Sequence, residues 1–231
     1  MARVDFDRDL GQLEAEIILM GGLVENAIFK SLDSLANRDL ALAERVVEED
    51  DRIDDKEQEI EQACIDLIRR EAPVATDLRR IMSALFVASE LERIGDYAEG
   101  IAKISLLMGN EPPLKKLIDI PRMGEIAVSM LKHSLDAFVE RDSARAARIA
   151  ESLGPADDEV DVLYETVQHD LIELMKQNPE NVERATYLLW AAHNLERVAD
   201  RSTNIAERAI YLATGKAVSV GDQHGPNAVA R

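Results

Sequence analysis

The chain has 231 residues and carries 45 acidic against 27 basic side chains, a formal net charge of -18. Such a surface repels phosphate backbones and no basic patch offsets it, which disfavours direct DNA or RNA binding and favours cations or basic faces of protein partners. Apolar residues at 46% supply a core, aromatics at only 4% point to an all-helical protein, and the single Cys64 excludes both an internal disulfide and a thiolate metal cluster.

Six helices are predicted, three in each half, in a chain that prolines and glycines divide. The first runs to Asn37–Asp39 and carries Leu13, Ile17, Met20, Val24, Ile28 and Leu32 at helical spacing. The second ends at Ala72–Pro73 and the third at Gly109–Pro113. The fourth ends at Glu140–Asp142, the fifth at Asn178–Pro179 and the sixth at Gly215. Lengths of roughly 20 to 35 residues exceed those of ordinary globular helices and suit elongated bundles. Gly154-Pro155 falls inside the fifth, where proline removes a hydrogen bond and clashes with the preceding turn, so that helix is expected to kink or break. Residues 1–110 and 111–215 are thus read as two bundles and residues 216–231 as a mobile tail. The opening MARVDFDRDL has no apolar signal core and no run of 18 apolar residues occurs, so a cytoplasmic protein is expected, meeting any membrane through a partner.

The two halves repeat one another. LERIGDYAEGIA from Leu91 returns as LERVADRSTNIA from Leu195, an offset of 104. Met20-Gly21 returns as Met123-Gly124, Ser31-Leu32-Asp33 as Ser134-Leu135-Asp136, and Arg38-Asp39 as Arg141-Asp142. Asp50-Asp51-Arg52-Ile53-Asp54 matches Asp157-Asp158-Glu159-Val160-Asp161, and Phe86 falls opposite Trp190. A repeat of this length means one structural unit built twice. The copies differ between Asp39 and Asp50, 11 steps apart, and Asp142 and Asp157, 15 steps apart, the extra turn holding Gly154-Pro155. Glycine inside a helix costs about 1 kcal/mol against alanine, so the recurrence of Gly21 as Gly124 points to close helix approach.

What the repeat preserves is a pair of acids four residues apart. Chance alone yields about nine such pairs in a chain this acidic, so position must decide their meaning. On a helical wheel Glu92 and Asp96 border Leu85 and Ala88, and Glu196 and Asp200 border Leu189 and Ala192. Asp50 and Asp54 flank Ile53 and Cys64, and Asp157 and Asp161 flank Val160 and Leu171. Carboxylates gathered at a half-buried seam repel and lose hydration, and must be protonated, ion-paired or metal-bound. Arg93 and Arg197 follow each Glu directly, but neighbours in a helix point apart. A hard cation held by oxygen is the economical solution, with Mg, Mn or Fe favoured and Zn compatible. Solvated charge on a metal-free helical adaptor is the plainer alternative.

A ferritin-like, carboxylate-bridged dimetal enzyme is the other alternative. It would add Glu-x-x-His on two helices, and none of His133, His169, His193 or His224 has an acid three residues earlier. No Gly-rich phosphate loop or nucleophile elbow occurs either, so no catalytic residue is assigned. His193 and Asn194 are read as capping, packing or local hydrogen-bonding residues, and Trp190 as packing.

LERIGDYAEGIA and HNLERVADRSTNIAERAIYLATG resemble the paired signatures of the PhoU family, phosphate-transport regulators of bacteria. DDRIDD and DDEVD sit where that family carries its other acidic motif, and the resemblance spans residues 6–215. It implies two tandem three-helix bundles related by a pseudo-twofold, with mono- or multinuclear metal centres of divalent or trivalent ions on the bundle surface. It also implies a non-catalytic repressor of the phosphate-starvation response. The partners implied are the ATPase subunit of the phosphate ABC transporter and a membrane sensor histidine kinase. Carried over to this chain, the metal positions are Asp50, Asp54, Glu92 and Asp96 in the first half and Asp157, Asp161, Glu196 and Asp200 in the second. Asn204 faces Gly100 in the repeat, which argues against a shared metal role there, and Gly154-Pro155 could displace the acidic arm at Asp157. A homodimer is compatible with so long a bundle, although no single exposed apolar stripe demands one.

Overall fold

A computed structural model describes residues 2–140 and 142–220, with side chains from residue 4. Arg141, a member of one repeat match, and residues 221–231 of the expected mobile tail lie outside the described residues. Among the described residues seven α-helices run in chain order: α1 (Ala2–Asn37), α2 (Leu40–Glu71), α3 (Ala75–Met108), α4 (Asp119–Val139), α5 (Ser143–Glu151), α6 (Gly154–Gln177) and α7 (Val182–Thr214), with a 3₁₀ turn at Pro179–Asn181 before α7. Two three-helix bundles stand in tandem, and in the second one arm is divided. That arm is the expected fifth helix, parted into α5 and α6 around Gly154-Pro155. Pro155 sits in the first turn of α6, where the missing N–H costs nothing.

Local chemistry sets most of the ends. The Asp39 carboxylate accepts from the Leu42 N–H at the start of α2, and Asp142 accepts from Arg145 at the start of α5. Arg69 and Arg70 occupy the last turn of α2, opposing the negative end of its dipole. Gly215 closes α7 at φ 73, its N–H bonded to the Tyr211 carbonyl at 2.8 Å. The predicted break near Gly109 proved wider than its sequence signal, because α4 begins only at Asp119.

One large hydrophobic core runs through both halves, and a small separate cluster of Ala43, Val46 and Ala102 joins α2 to α3. Leu10, Ile17, Met20, Val24 and Ile28 of α1 are sealed from solvent, each worth about 1.5–3 kcal/mol of burial. α3 and α7 form the centre; α1 and α2 cover α3, and α4, α5 and α6 cover α7. Ile81, Val87, Leu91, Ile94, Ala98 and Ile101 spread buried apolar surface around most of α3, as a helix packed on several sides requires.

α3 and α7 run antiparallel, and polar contacts fix their register. Asn204 Nδ2 donates to Glu90 Oε2 at 3.1 Å and Arg201 Nη1 reaches the same oxygen at 3.4 Å. Farther along, Arg197 Nε donates to the Tyr97 hydroxyl at 3.4 Å. The Arg208 guanidinium lies 3.9 Å over the Phe86 ring. Asn204 thus bonds between the halves.

The recurrent glycines explain each other. A Cβ on Gly21 would strike Leu135, and one on Gly124 would strike Leu32. Leu32 and Leu135 are themselves repeat equivalents, so the contact is made twice, once in each direction, where α1 meets α4. Among the described residues no helix is long and apolar enough to cross a membrane.

Gly21→Val drives two methyl groups into Leu135 and is expected to cost about 1–3 kcal/mol, the usual toll of overpacking. Leu135→Ala should recover part of that loss in the double variant. Urea unfolding of the four-member cycle measures it, and strict additivity would contradict the contact.

Candidate metal centres

Three turns of α2 and α3 build the first site. Asp50, Asp54 and Glu57 occupy one side of α2, three and four residues apart, opposite Glu92, Asp96 and Glu99 on α3. Asp50, Asp54, Glu57, Glu92 and Glu99 are half-buried, whereas Asp96 is exposed. Gly95 makes the approach close. A Cβ there would stand 3.1 Å from the Ile53 side chain and 3.3 Å from Asp50 Oδ1. The absent side chain leaves a cradle against α3 that the Asp50 carboxyl occupies.

This crowding changes the acids. Burial, then Glu99, Asp54 and Asp96, push the Asp50 carboxyl up to about 7, with Lys103 opposing. Burial and Asp96 raise Glu92; burial, Asp54 and Glu99 raise Asp96; burial, Glu61 and Asp54 raise Glu57. Lys103 pairs with Glu99 and tempers the cluster from its rim.

The second site repeats the plan on α6 and α7. Asp157 and Asp161 face Glu196 and Asp200, and all four are half-buried. The helix break does not carry Asp157 away: it lies in the first turn of α6, within the field of Asp161, Asp200 and Glu196. Burial and then those neighbours push Asp157 up to about 7, and burial with Asp200 does the same to Glu196. Burial raises Asp161 and Asp200 as well. Arg197 softens this site through Nη1, 3.5 Å from Asp200 Oδ2, a contact three residues along the helix that reading only adjacent positions overlooks.

One atom stands out. Glu196 Oε2 is buried without a hydrogen-bond partner, an arrangement that costs about 1–3 kcal/mol or more for a charged group. His193 Nδ1 lies 3.3 Å away but is not aligned to donate to it.

The structure therefore gathers all eight sequence-assigned acids into two groups of four, each across one helix pair. It adds Glu57 and Glu99, whose signal was available in their spacing of three from Asp54 and Asp96, outside the repeated four-residue pair. Among the described residues, no three carboxylate, imidazole or thiol groups converge tightly enough to form a ready-made cation site. The acids stand as facing banks. Their composition still fits a hard cation: oxygen donors only in the first group, an unsatisfied buried oxygen in the second, and raised proton affinity in both.

The PhoU domain family matches the chain twice, over residues 17–105 and 120–209. A phosphate-specific transport system accessory protein PhoU homolog of Clostridium acetobutylicum is 38% identical over 223 residues, 96% of this chain and all of that one. A protein of the same description from Aquifex aeolicus is 39% identical, covering 91% of this chain and 94% of its own. The crystal structure of PhoU from Pseudomonas aeruginosa superposes with a TM-score of 0.84 at 33% identity, over 91% of this chain and 100% of that one. That of the phosphate transport system regulatory protein PhoU from Streptococcus pneumoniae gives the same score and identity over 93% of this chain. Matched in both halves and along nearly its whole length, the chain belongs to the PhoU family.

Proposed function

We propose that this chain is a cytoplasmic, metal-binding, non-catalytic negative regulator of phosphate uptake and phosphate-starvation signalling. It acts as an adaptor between the ATPase subunit of the phosphate transporter and a sensor histidine kinase. Support for the regulatory part comes from relatives described as accessory proteins of the phosphate-specific transport system. Support for the metal comes above all from Glu196 Oε2, buried without a hydrogen bond in a bank of half-buried carboxylates whose proton affinity is raised.

Asp50, Asp54, Glu92 and Asp96 hold one centre and Asp157, Asp161, Glu196 and Asp200 the other, for Mg, Mn, Fe or Zn ions. A bound cation supplies positive charge that the banks lack. The carboxylates then ionise, their repulsion is offset, and each helix pair is held at one separation. Regulation follows if partners recognise the outer faces of α2–α3 and α6–α7 at that separation only.

Metal content of protein purified without chelator is the direct test. Wild type should retain one or more equivalents, and changing Glu92, Asp96, Glu196 and Asp200 together to Ala should remove them. In phosphate-replete cells lacking the native chain, a variant with all eight acids changed to Ala should fail to restore repression of a phosphate-starvation reporter. Equal metal content in both proteins, or full repression by a folded eightfold variant, contradicts the reading. Oxygen-dependent turnover by the loaded protein would favour a dimetal enzyme instead.

The raised carboxyls also set a pH dependence. Asp50, Asp157 and Glu196 keep their protons to about pH 7 in the folded chain, whereas carboxyls in an unfolded chain ionise near about pH 4. Between those values the folded state holds more protons, so their contribution to stability is complete below the lower value and is lost as pH rises through the upper one. In chelator, the unfolding temperature should fall from about pH 5 to about pH 8, and Glu196→Gln should flatten the fall. A cation at a hundredfold over its Kd should restore about 2.7 kcal/mol at the high end. A rise over that interval, or no response to Mg or Mn, would count against the assignment.

A further inference from the structure

The outward seam between α3 and α7 is built unlike the rest of this acidic surface. Contacts cross it at one register. A Cβ on Gly100 would stand 2.8 Å from Asn194 Nδ2, Arg197 meets Tyr97, and Arg201 and Asn204 meet Glu90. Arg208 then lies over Phe86, and Arg79 Nη1 fills the space beside Gly215. The arginines come from two helices and gather only because these lie antiparallel.

Positive charge is in excess here. The carboxylate within the seam, Glu90, is already held by Arg201 and Asn204. Among the described residues Arg208 has no ion-pair partner and rests on the rings of Phe86 and Tyr211, at 3.9 and 5.4 Å. Arg79 Nε and Arg201 Nε are buried without an acceptor. The acids at the margins are engaged. Asp96 belongs to the first acidic bank and Asp200 to the second, where Arg197 lies 3.5 Å away. Glu183 accepts from the Tyr187 hydroxyl and Glu207 from the Val220 N–H.

Aromatic rings accompany the arginines. Phe86, Tyr97, Tyr187, Trp190 and Tyr211 lie on or beside the seam, in a chain with only 4 Phe, 4 Tyr and 1 Trp. Arginine, tryptophan and tyrosine are the residues that dominate binding at protein interfaces. The two ends of the seam differ. Phe86 is capped by Arg208, but its repeat counterpart Trp190 has Ile104 where an arginine would be needed, and it is 51% exposed beside Tyr187. From Trp190 to Arg208 is about 27 Å along α7, the length of a helix of about five turns.

We propose that this seam is the docking surface for an acidic amphipathic helix of a partner protein. A large apolar residue of that helix sits against Trp190 and Tyr187, and its carboxylates meet Arg197, Arg201 and Arg208. This rests on the adaptor reading above. The three arginines follow at steps of four and seven, the spacing at which one face of a helix presents its side chains. Both seam helices bond their backbone groups internally, so no strand can be added here. A helix about 10–12 Å wide fits between the acidic banks. A membrane or nucleic acid would lay phosphates over those banks as well, against a net charge of -18. Guanidinium groups already set by rings and hydrogen bonds lose little freedom on meeting a carboxylate.

The full-length variant Trp190→Ala/Arg208→Glu alters neither acidic bank. Surface plasmon resonance against the transporter ATPase subunit and the sensor kinase should show affinity for at least one of them falling about 10-fold or more, with metal content and helical circular dichroism unchanged. Wild-type binding to that partner should weaken as salt is raised. Benzoylphenylalanine placed at position 190 should cross-link to a helix of the partner that carries acids at helical spacing, a readout that does not depend on how the double variant folds. Unchanged affinity for both partners, or a cross-linked segment without acids, overturns the proposal and leaves the adaptor reading intact. Binding to phosphatidylglycerol vesicles that Arg208→Glu abolishes also overturns it, in favour of a membrane. If neither partner binds the wild-type protein, both readings fail.

Discussion

Because α3 and α7 lie antiparallel with Glu90 against Asn204 and Tyr97 against Arg197, each step down one helix is a step up the other, and the register of the two halves follows from that. Apolar burial alone would tolerate a slip of one turn, since both helices carry small and branched residues over much of their surface. A slip would strand the buried Glu90 and the half-buried Arg201 without partners. Leaving one member of a buried pair alone costs about 3–5 kcal/mol. The remaining helices then have little freedom: α1 and α2 must cover α3, α4 and the divided α5–α6 arm must cover α7, and the reciprocal glycines bring α1 and α4 together at the outer edge.

The same geometry explains why the acids sit where they do. Every face of α3 and α7 that turns inward is committed to the core or to the partner helix. The faces toward α2 and α6 are half-covered, wet enough to admit charge and dry enough to make it costly. Gly95 sharpens this in the first half, where α2 comes close enough for Asp50 to rest against α3; its repeat equivalent is the buried Ala199, so the second pair of helices meets differently. Carboxyls pushed up to about 7 in both banks are the electrostatic record of that half-burial.

Much of this was legible in the chain. Helical spacing placed Ile17, Met20, Val24 and Ile28 in the core, the repeat of Arg38-Asp39 as Arg141-Asp142 marked where each first helix gives way to the next, and Gly154-Pro155 marked where an arm divides. The repeat paired Gly21 with Gly124 and so announced close approach, although not that Leu135 and Leu32 are what approaches. What stayed hidden depends on two helices at once. No periodicity within α7 says that Asn204 reaches Glu90, or that Arg197 turns to both Asp200 and Tyr97. Glu57 and Glu99 were passed over because the repeat does not preserve them, and a search for what two halves share cannot see what one half has added.

The reciprocity at Gly21–Leu135 and Gly124–Leu32 is the arithmetic of an isologous interface, in which residue i meets j and j meets i. Here both partners are one polypeptide. A symmetric pair of separate subunits must accept every substitution twice, at both copies of a site and on both sides of the contact. Joining the halves through residues 109–118 removes that requirement: one copy of Ser89 can remain serine while its counterpart becomes histidine, and Asn204 can reach across to Glu90 while Gly100 presents no side chain at all. The linker does more than tether. It turns a duplicated unit into two sites with separate histories inside one continuous core.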